Sequence, residues 1–553
     1  MRSRRAAGKR LIATSHYPSF WHAPQEKVDE EVTMALNRSI GIGGMTLIGV
    51  GGVVGSGWLF APMLASREAG PAALVSWGVG GLAIFLLALA FAEICSRLPV
   101  AGGLGRIPYL THGRLTAAAM GWSAWVGYVA ISAVEVTVML QYLSGPLPWI
   151  SSGDLLSPAG KLCGIAFLAL MTLFNALGVT FLVRLNAGLT YVKVVLPLIV
   201  ATTIIVERFS MGNFTDHGGF APMGWDGSLS AITTGGVIFA YLGFRGVIDM
   251  AGEARRPEIT VPVALGLSVL VCLVLYVVLQ VAFVGAVDDR DLANGWAKLS
   301  FGHALGPFGV IAAGIGFVWL NAAVFGGAVI SPFGATLVTA GSNARLSMAL
   351  AHNGFFPDAV TRLTRRQVPT NALLLNFAVC VGFFLMLPFD EIVALTGAAL
   401  TVSLTVGPLS LLALRRQDPG TTSGFRVPWA GPICLLAFVI ATLIVYWSGW
   451  DTVWRLGIAL LVGGLLFAVM HLRRRGGALN MREALWLLPW LGGIGLLSLL
   501  GNFGGGLGIV PDGWDMAAGA LIGATGMVLG VAVRLRDADA ATHRAERDAF
   551  EGV

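Results

Sequence analysis

Charge is scarce in this chain. Asp, Glu, Lys and Arg together make up 12% of its 553 residues, and 56% are hydrophobic, which leaves too little polar surface for a water-soluble fold of that size. Cysteine is scarce as well. The five cysteines, at 95, 163, 272, 380 and 434, lie in or beside apolar tracts without metal-ligand spacing, so they read as small buried hydrophobes. No glycine-rich stretch carries the GxxxxGK[ST] pattern that holds nucleotide phosphates and magnesium, which leaves an ion gradient or the substrate's own gradient to drive any pumping. A basic module interleaved with aromatics is also missing, so nucleic acid is not an expected partner despite the net charge of +6. No His/Asp/Glu cluster has metal spacing and Ser56 has no evident base. Neither an enzyme nor a metal or other cofactor is therefore expected.

What the chain has is apolar length, with a mean hydropathy of +0.77. Apolar tracts recur almost to the end and predict an all-α polytopic membrane protein. Fourteen spans fit the pattern, from 41–66 to 515–533, with ten inside 41–413 and four inside 429–533. Residues 1–40 and 534–553 remain as polar ends, and the first tract lies too deep and runs too long for a cleavable signal. Arg255, Arg256, Arg362, Arg365, Arg366, Arg415, Arg416 and Arg473 to Arg475 fall on one side of this arrangement, whereas Asp288, Asp289 and Asp291 fall on the other. The positive-inside rule then places both termini in the cytoplasm of a cell inner membrane or plasma membrane, with basic loop edges against anionic lipid.

Glycine is abundant where a plain anchor gains nothing from it. The first span, Ile42 to Pro62, reads IGGMTLIGVGGVVGSGWLFAP, with glycine at 43, 44, 49, 51, 52, 55 and 57. A span that breaks near its middle gains turn freedom and close backbone access from such residues, and a transporter-type discontinuous helix is the expectation. Close helix packing through small residues is the competing reading. The sixth span repeats the pattern, with Gly235 and Gly236 ahead of IFAY and Gly243 and Gly246 around Phe244 and Arg245.

Charged residues inside apolar tracts are costly and mark candidate chemistry. Lys193 lies within LNAGLTYVKVVLPLIV of the fifth span and is a candidate for proton exchange during a conformational cycle, against snorkelling to an interface. Glu135 of the third span is a second proton carrier, a countercharge to Arg245, or a structural polar contact. Arg245 and Asp249 share a face at helical spacing, so they form either a charge pair near an inner gate or a site where Arg245 receives an anionic substrate group.

Three motifs together resemble the amino acid–polyamine–organocation transporter superfamily: GVVGSGWLFAP in the first span, AEICSRLPVAGG at residues 92–103, and GEARRPEITVP at residues 252–262. The resemblance covers roughly residues 38–475 and implies a LeuT-like fold of two five-helix inverted repeats with broken first and sixth helices, followed by four additional spans. By that resemblance the Gly55, Ser56 and Gly57 turn binds a substrate carboxylate. Carbonyls around Gly51 and Val54, with Phe239, Ala240 and Tyr241, receive the amino group. Lys193 matches a lysine that stands where other members hold sodium. The chain departs from many members at Arg245, where GFRG replaces a carboxylate or neutral residue, a change that disfavours cationic substrates and complements an acidic side chain. The whole is similar to the bacterial aspartate–proton symporter branch. The implied activity is proton-coupled amino acid symport, with aspartate or glutamate as substrate. A neutral amino acid symporter or an exchanger of the same fold is the alternative. Oligomeric state is not legible in the sequence.

Overall fold

The computed structural model describes residues 38–541 apart from 39, 100–102, 153–154, 178, 302–305, 365–367, 421–423, 474–478, 512 and 538, with backbone alone for 179–187. The expected polar ends at 1–40 and 534–553 lie mostly outside the described residues, as do Arg365, Arg366, Arg474 and Arg475.

The described residues are largely helical. Helices α1 (Ile42–Val53), α2 (Gly57–Ala69), α3 (Ala73–Arg97) and α4 (Gly103–Leu143) lead to α5 (Pro158–Ala176) and α6 (Val179–Arg208). The next group is α7 (Gly224–Thr233), α8 (Val237–Tyr241), α9 (Arg245–Asp249), α10 (Pro257–Ala286), α11 (Pro307–Ile315) and α12 (Val318–His352). Then come α13 (Thr370–Met386), α14 (Phe389–Leu404) and α15 (Val406–Gln417). The C-terminal part holds α16 (Ala430–Trp447), α17 (Gly449–Arg473), α18 (Met481–Ala484), α19 (Leu487–Leu500) and α20 (Trp514–Ala532). A two-residue hairpin, Ser151–Ser152 against Leu155–Leu156, is the strand structure among the described residues. Start signals are local: Ser157 caps α5 by accepting the Gly160 N–H at 2.9 Å, and proline opens α5, α10 and α11, where no N–H is needed.

Among the described residues, eleven helical runs are long and apolar enough to cross a bilayer, or twelve when the pair Gly224–Thr233 and Val237–Asp249, bent by 43°, counts as one. The fourteen expected spans differ from this tally for two visible reasons. Gly57–Arg97 forms one continuous helical run although Gly70 (φ 60°) turns it, and α1 and α13 are shorter apolar helices of 12 and 17 residues. The last four runs, Ala430–Trp447, Gly449–Arg473, Met481–Leu500 and Trp514–Ala532, coincide with the four additional spans expected from sequence. Reporter fusions after residues 475, 508 and 540 are expected to read cytoplasm, outside and cytoplasm in turn. A cytoplasmic signal at 508 would replace the last two spans with a peripheral hairpin.

Burial separates centre from rim. The most apolar window of α4 is 89% buried and that of the α14–α15 run is 100% buried, whereas those of α5 and α17 are 28% and 22%. Helix α4 packs against α12, α14 and α13, while α3 packs against α10, which in turn covers α1. One buried carboxylate ties this framework to the C-terminal part. Glu93 takes Arg97 at 2.9 Å, both prongs of Arg415 at 2.8 and 2.6 Å, and the Val427 N–H at 2.7 Å. Two guanidiniums and an amide satisfy a charge that would otherwise be costly to bury. This is the physical content of the AEICSR motif.

Candidate functional site

The glycine-rich first tract is interrupted as a helix at Val54–Ser56. Helix α1 ends at Val53 and α2 begins at Gly57, so Val54, Gly55 and Ser56 lie between two helix ends. The carbonyls that end one helix and the amides that begin the next lack intrahelical partners there. The partial charges also oppose: negative at the end of α1, positive at the start of α2.

Two of the buried ionisable residues singled out from sequence, Lys193 and Glu135, meet those two ends. Lys193, on α6 and fully buried, donates from Nζ to the Gly51 carbonyl at 2.6 Å. Glu135, on α4 and 2% exposed, accepts the Ser56 N–H at 2.8 Å on Oε2. A cation thus sits on the carbonyl end and a carboxylate on the amide end, each by a charge-assisted hydrogen bond. The Gly51 carbonyl, expected to receive a substrate amino group, is held by Lys193 in this conformation, and the Ser56 amide is held by Glu135. The hydroxyl of Ser56 is buried without a hydrogen-bond partner.

Glycine at this break provides access rather than unusual torsions. Gly55 and Gly57 are absent from the positive-φ residues, contrary to the expectation of turn freedom. A Cβ on Gly55 would collide with the Glu135 carboxylate, and one on Gly57 would stand 3.1 Å from the Ala240 Cβ. The sixth span differs. There Gly236 adopts φ 77°, a left-handed turn that suits glycine, between α7 and α8. A 3₁₀ turn, Leu242–Phe244, then separates α8 from α9, and its Gly243 lies against the backbone of Gly52 and Val53. The two interrupted spans therefore meet backbone to backbone. A parallel bridge ties them again: Ile40 N–H donates to Glu253 O at 3.1 Å and Arg255 N–H to Ile40 O at 2.9 Å.

The other predicted residues divide. Ala240 lies at the meeting of the two spans. Phe239 instead packs on Phe60, with ring centroids 5.7 Å apart. Tyr241 turns away into an aromatic cluster, donating to the Trp77 carbonyl at 3.1 Å beside the Trp77–Tyr276 stack at 4.6 Å. Val54 is fully buried at the break.

Arg245 and Asp249 form no direct ion pair, although they share α9. Arg245 lies over the Tyr128 ring at 3.8 Å, and Tyr128 donates its hydroxyl to Asp249 Oδ2 at 2.6 Å. The expected i,i+4 pair is relayed through a tyrosine of the third span, since a face-on guanidinium gains from the ring while the phenol satisfies the carboxylate. Arg245 Nε donates to Leu242 O at 3.2 Å, yet its Nη1 is buried with no partner.

Two contributors escape the sequence reading. Tyr276 of α10 donates to the Val53 carbonyl at 3.1 Å, capping the end of α1 beside Lys193, and Tyr128 organises Arg245 and Asp249. Both belong to a set of only 8 tyrosines in 553 residues, and their rarity inside apolar tracts was the available signal.

Comparison with known proteins identifies relatives over most of the chain. The amino acid permease family profile matches residues 40–467. Over 499 residues, 88% of this chain and 92% of the relative, the chain is 30% identical to the glutamate/serine transporter AimA of Bacillus subtilis (strain 168). It is 32% identical over 487 residues to the aspartate-proton symporter of the same organism, covering 87% of this chain and 93% of that one. Identity to that organism's branched-chain amino acid permease BcaP is 26% over 448 residues, or 78% of this chain and 93% of the relative.

Proposed function

The chain belongs to the amino acid permease family of the amino acid–polyamine–organocation superfamily, a secondary amino acid transporter and not an enzyme, and on that premise we propose that it imports aspartate or glutamate together with a proton. The observation that carries the acidic substrate is Arg245: a guanidinium 2% exposed, held from one side by Leu242 O and Tyr128, with Nη1 left unpaired. A buried donor without a partner is costly, and a substrate carboxylate is an acceptor that relieves the cost. The names of two relatives, one a glutamate/serine transporter and the other an aspartate-proton symporter, support the same class.

In this reading the substrate α-carboxylate takes the amides of the Gly55, Ser56 and Gly57 turn, which requires Glu135 to leave the Ser56 N–H. The amino group goes to carbonyls near Gly51, Val54 and the sixth-span Phe239, Ala240 and Tyr241 backbone. Lys193 and Glu135, one at each end of the break, couple that exchange to proton movement. The core spans 41–413, the four further helices 429–533, and both termini face the cytoplasm of the plasma membrane. Purified protein in liposomes tests the whole reading: aspartate or glutamate added outside should move protons inward without sodium. Equal transport with no proton movement would favour an exchanger.

Arg245→Gln tests the side-chain assignment. A charge-assisted hydrogen bond contributes about 1.5–3 kcal/mol, so aspartate and glutamate binding should weaken roughly tenfold or more while serine changes little. An equal loss across acidic and neutral amino acids would make Arg245 a gate residue. The serine in one relative's name gives the neutral-substrate alternative its support, and the same competition panel reads it.

A further inference from the structure

A slot of about 400 Å³ opens between the last turns of α3 and the first turns of α10, and none of the residues proposed to bind the amino acid lines it. Phe85 and Leu89 form one bank, and Ile259, Val263 and Gly266 form the other. Phe85, Ile259 and Val263 remain 38%, 48% and 39% exposed, so the slot faces outward from the helix bundle rather than into it. On a membrane-spanning helix an exposed apolar face lies against lipid, and a narrow apolar slot there is shaped for hydrocarbon.

The head of the slot is different. It closes on Glu258, Gly424 and Phe425. Arg255 and Arg256 directly precede α10, Arg426 follows Phe425, and all three are exposed. Among the described residues none of the three is in an ion pair. Nearby Arg97 and Arg415 are both taken by Glu93, at 2.9 and 2.6 Å. Arg255, Arg256 and Arg426 thus adjoin in sequence the residues that close the head of the slot, and they outnumber the one carboxylate that lines it, Glu258. Arginine clusters at the cytoplasmic edge of a span suit a phosphate, whose oxygens match the planar fork.

We propose that this slot binds one anionic phospholipid, with an acyl chain between α3 and α10 and the phosphate among Arg255, Arg256 and Arg426. Apolar walls fix the tail, and the excess of positive charge selects the headgroup. A zwitterionic lipid fits the slot equally well but brings no net charge to the arginines.

Native mass spectrometry of the full-length protein in mild detergent tests this with an equimolar mixture of phosphatidylglycerol and phosphatidylcholine of identical chains. Phosphatidylglycerol should be retained roughly tenfold or more over phosphatidylcholine, since each basic residue near an anionic headgroup contributes about fivefold. Gly266→Phe fills the slot from a position where an added Cβ meets nothing within 4 Å, so it should eject the lipid while the size-exclusion profile stays unchanged. The triple variant R255Q/R256Q/R426Q should keep a bound lipid and lose the headgroup preference. Equal retention of the two lipids by the unaltered protein overturns the charge argument. Undiminished phosphatidylglycerol on Gly266→Phe overturns the location.

Discussion

Replacing Gly243 with alanine is expected to abolish amino acid uptake while leaving the protein in the membrane. Gly243 belongs to the 3₁₀ turn Leu242–Phe244, and a Cβ there would overlap the Gly52 carbonyl carbon and oxygen and the Val53 amide nitrogen. All three obstacles are backbone atoms, so no side chain can rotate to make room. From the other side, a Cβ on Gly52 would stand 2.6 Å from the Gly243 carbonyl oxygen. Overpacking of this kind costs about 1–3 kcal/mol. Here the cost falls on the contact that sets the first break against the sixth span, and a displacement of that contact moves Gly51, Ser56 and their partners Lys193 and Glu135 together. Uptake by reconstituted protein, with size-exclusion chromatography as the folding control, measures the effect. Gly43→Ala is the matched comparison, because an added Cβ at Gly43 meets nothing within 4 Å. Loss in Gly43→Ala as well, or uptake near the unaltered level in Gly243→Ala, would remove the proposed importance of the contact.

The same two spans show what a sequence can and cannot disclose. The helix interruption at Val54–Ser56 was legible from the seven glycines of that tract, although Gly49, Gly51 and Gly52 also serve the close packing that the same pattern allowed. That Lys193 and Glu135 would each find a polar partner was legible because a charge in an apolar tract needs one. Which partner each would find was not legible. Lys193 meets Gly51 across 142 residues and Glu135 meets Ser56 across 79, separations that only the packing of α4 and α6 around α1 decides. Local spacing misled at Arg245 and Asp249. Four residues of helix do place them on one face, but Tyr128 from α4 fits between ring contact and hydrogen bond and replaces the direct pair. The direction of the Tyr241 side chain was likewise not legible: its ring finds Trp77 and Tyr276. The end of α1 also needed Tyr276, and nothing in the order of residues links position 276 to position 53.

Lys193→Ala is expected to separate transport from its driving force. In the structure the ammonium occupies the Gly51 carbonyl at the negative end of α1, three residues before the break at Val54. Both the hydrogen bond and the helix end favour a cation there. Loss of a proton would remove the charge and leave a weaker, neutral hydrogen bond to the carbonyl, so the protonation state of Lys193 and the arrangement of the break are linked. Alanine keeps neither state. The variant should therefore lose gradient-driven accumulation of substrate while counterflow between equal substrate pools persists at a reduced rate. Its uptake should also stop responding to external pH. A merely structural lysine predicts something else: uptake and counterflow fall in proportion, and the shape of the pH profile survives. Accumulation against a gradient with an unaltered pH profile would exclude Lys193 as the coupling group. Glu135→Gln supplies the second arm. The amide oxygen can still accept the Ser56 N–H, so a loss of pH response there, with substrate binding retained, would place the second titrating group at the amide end of the same break.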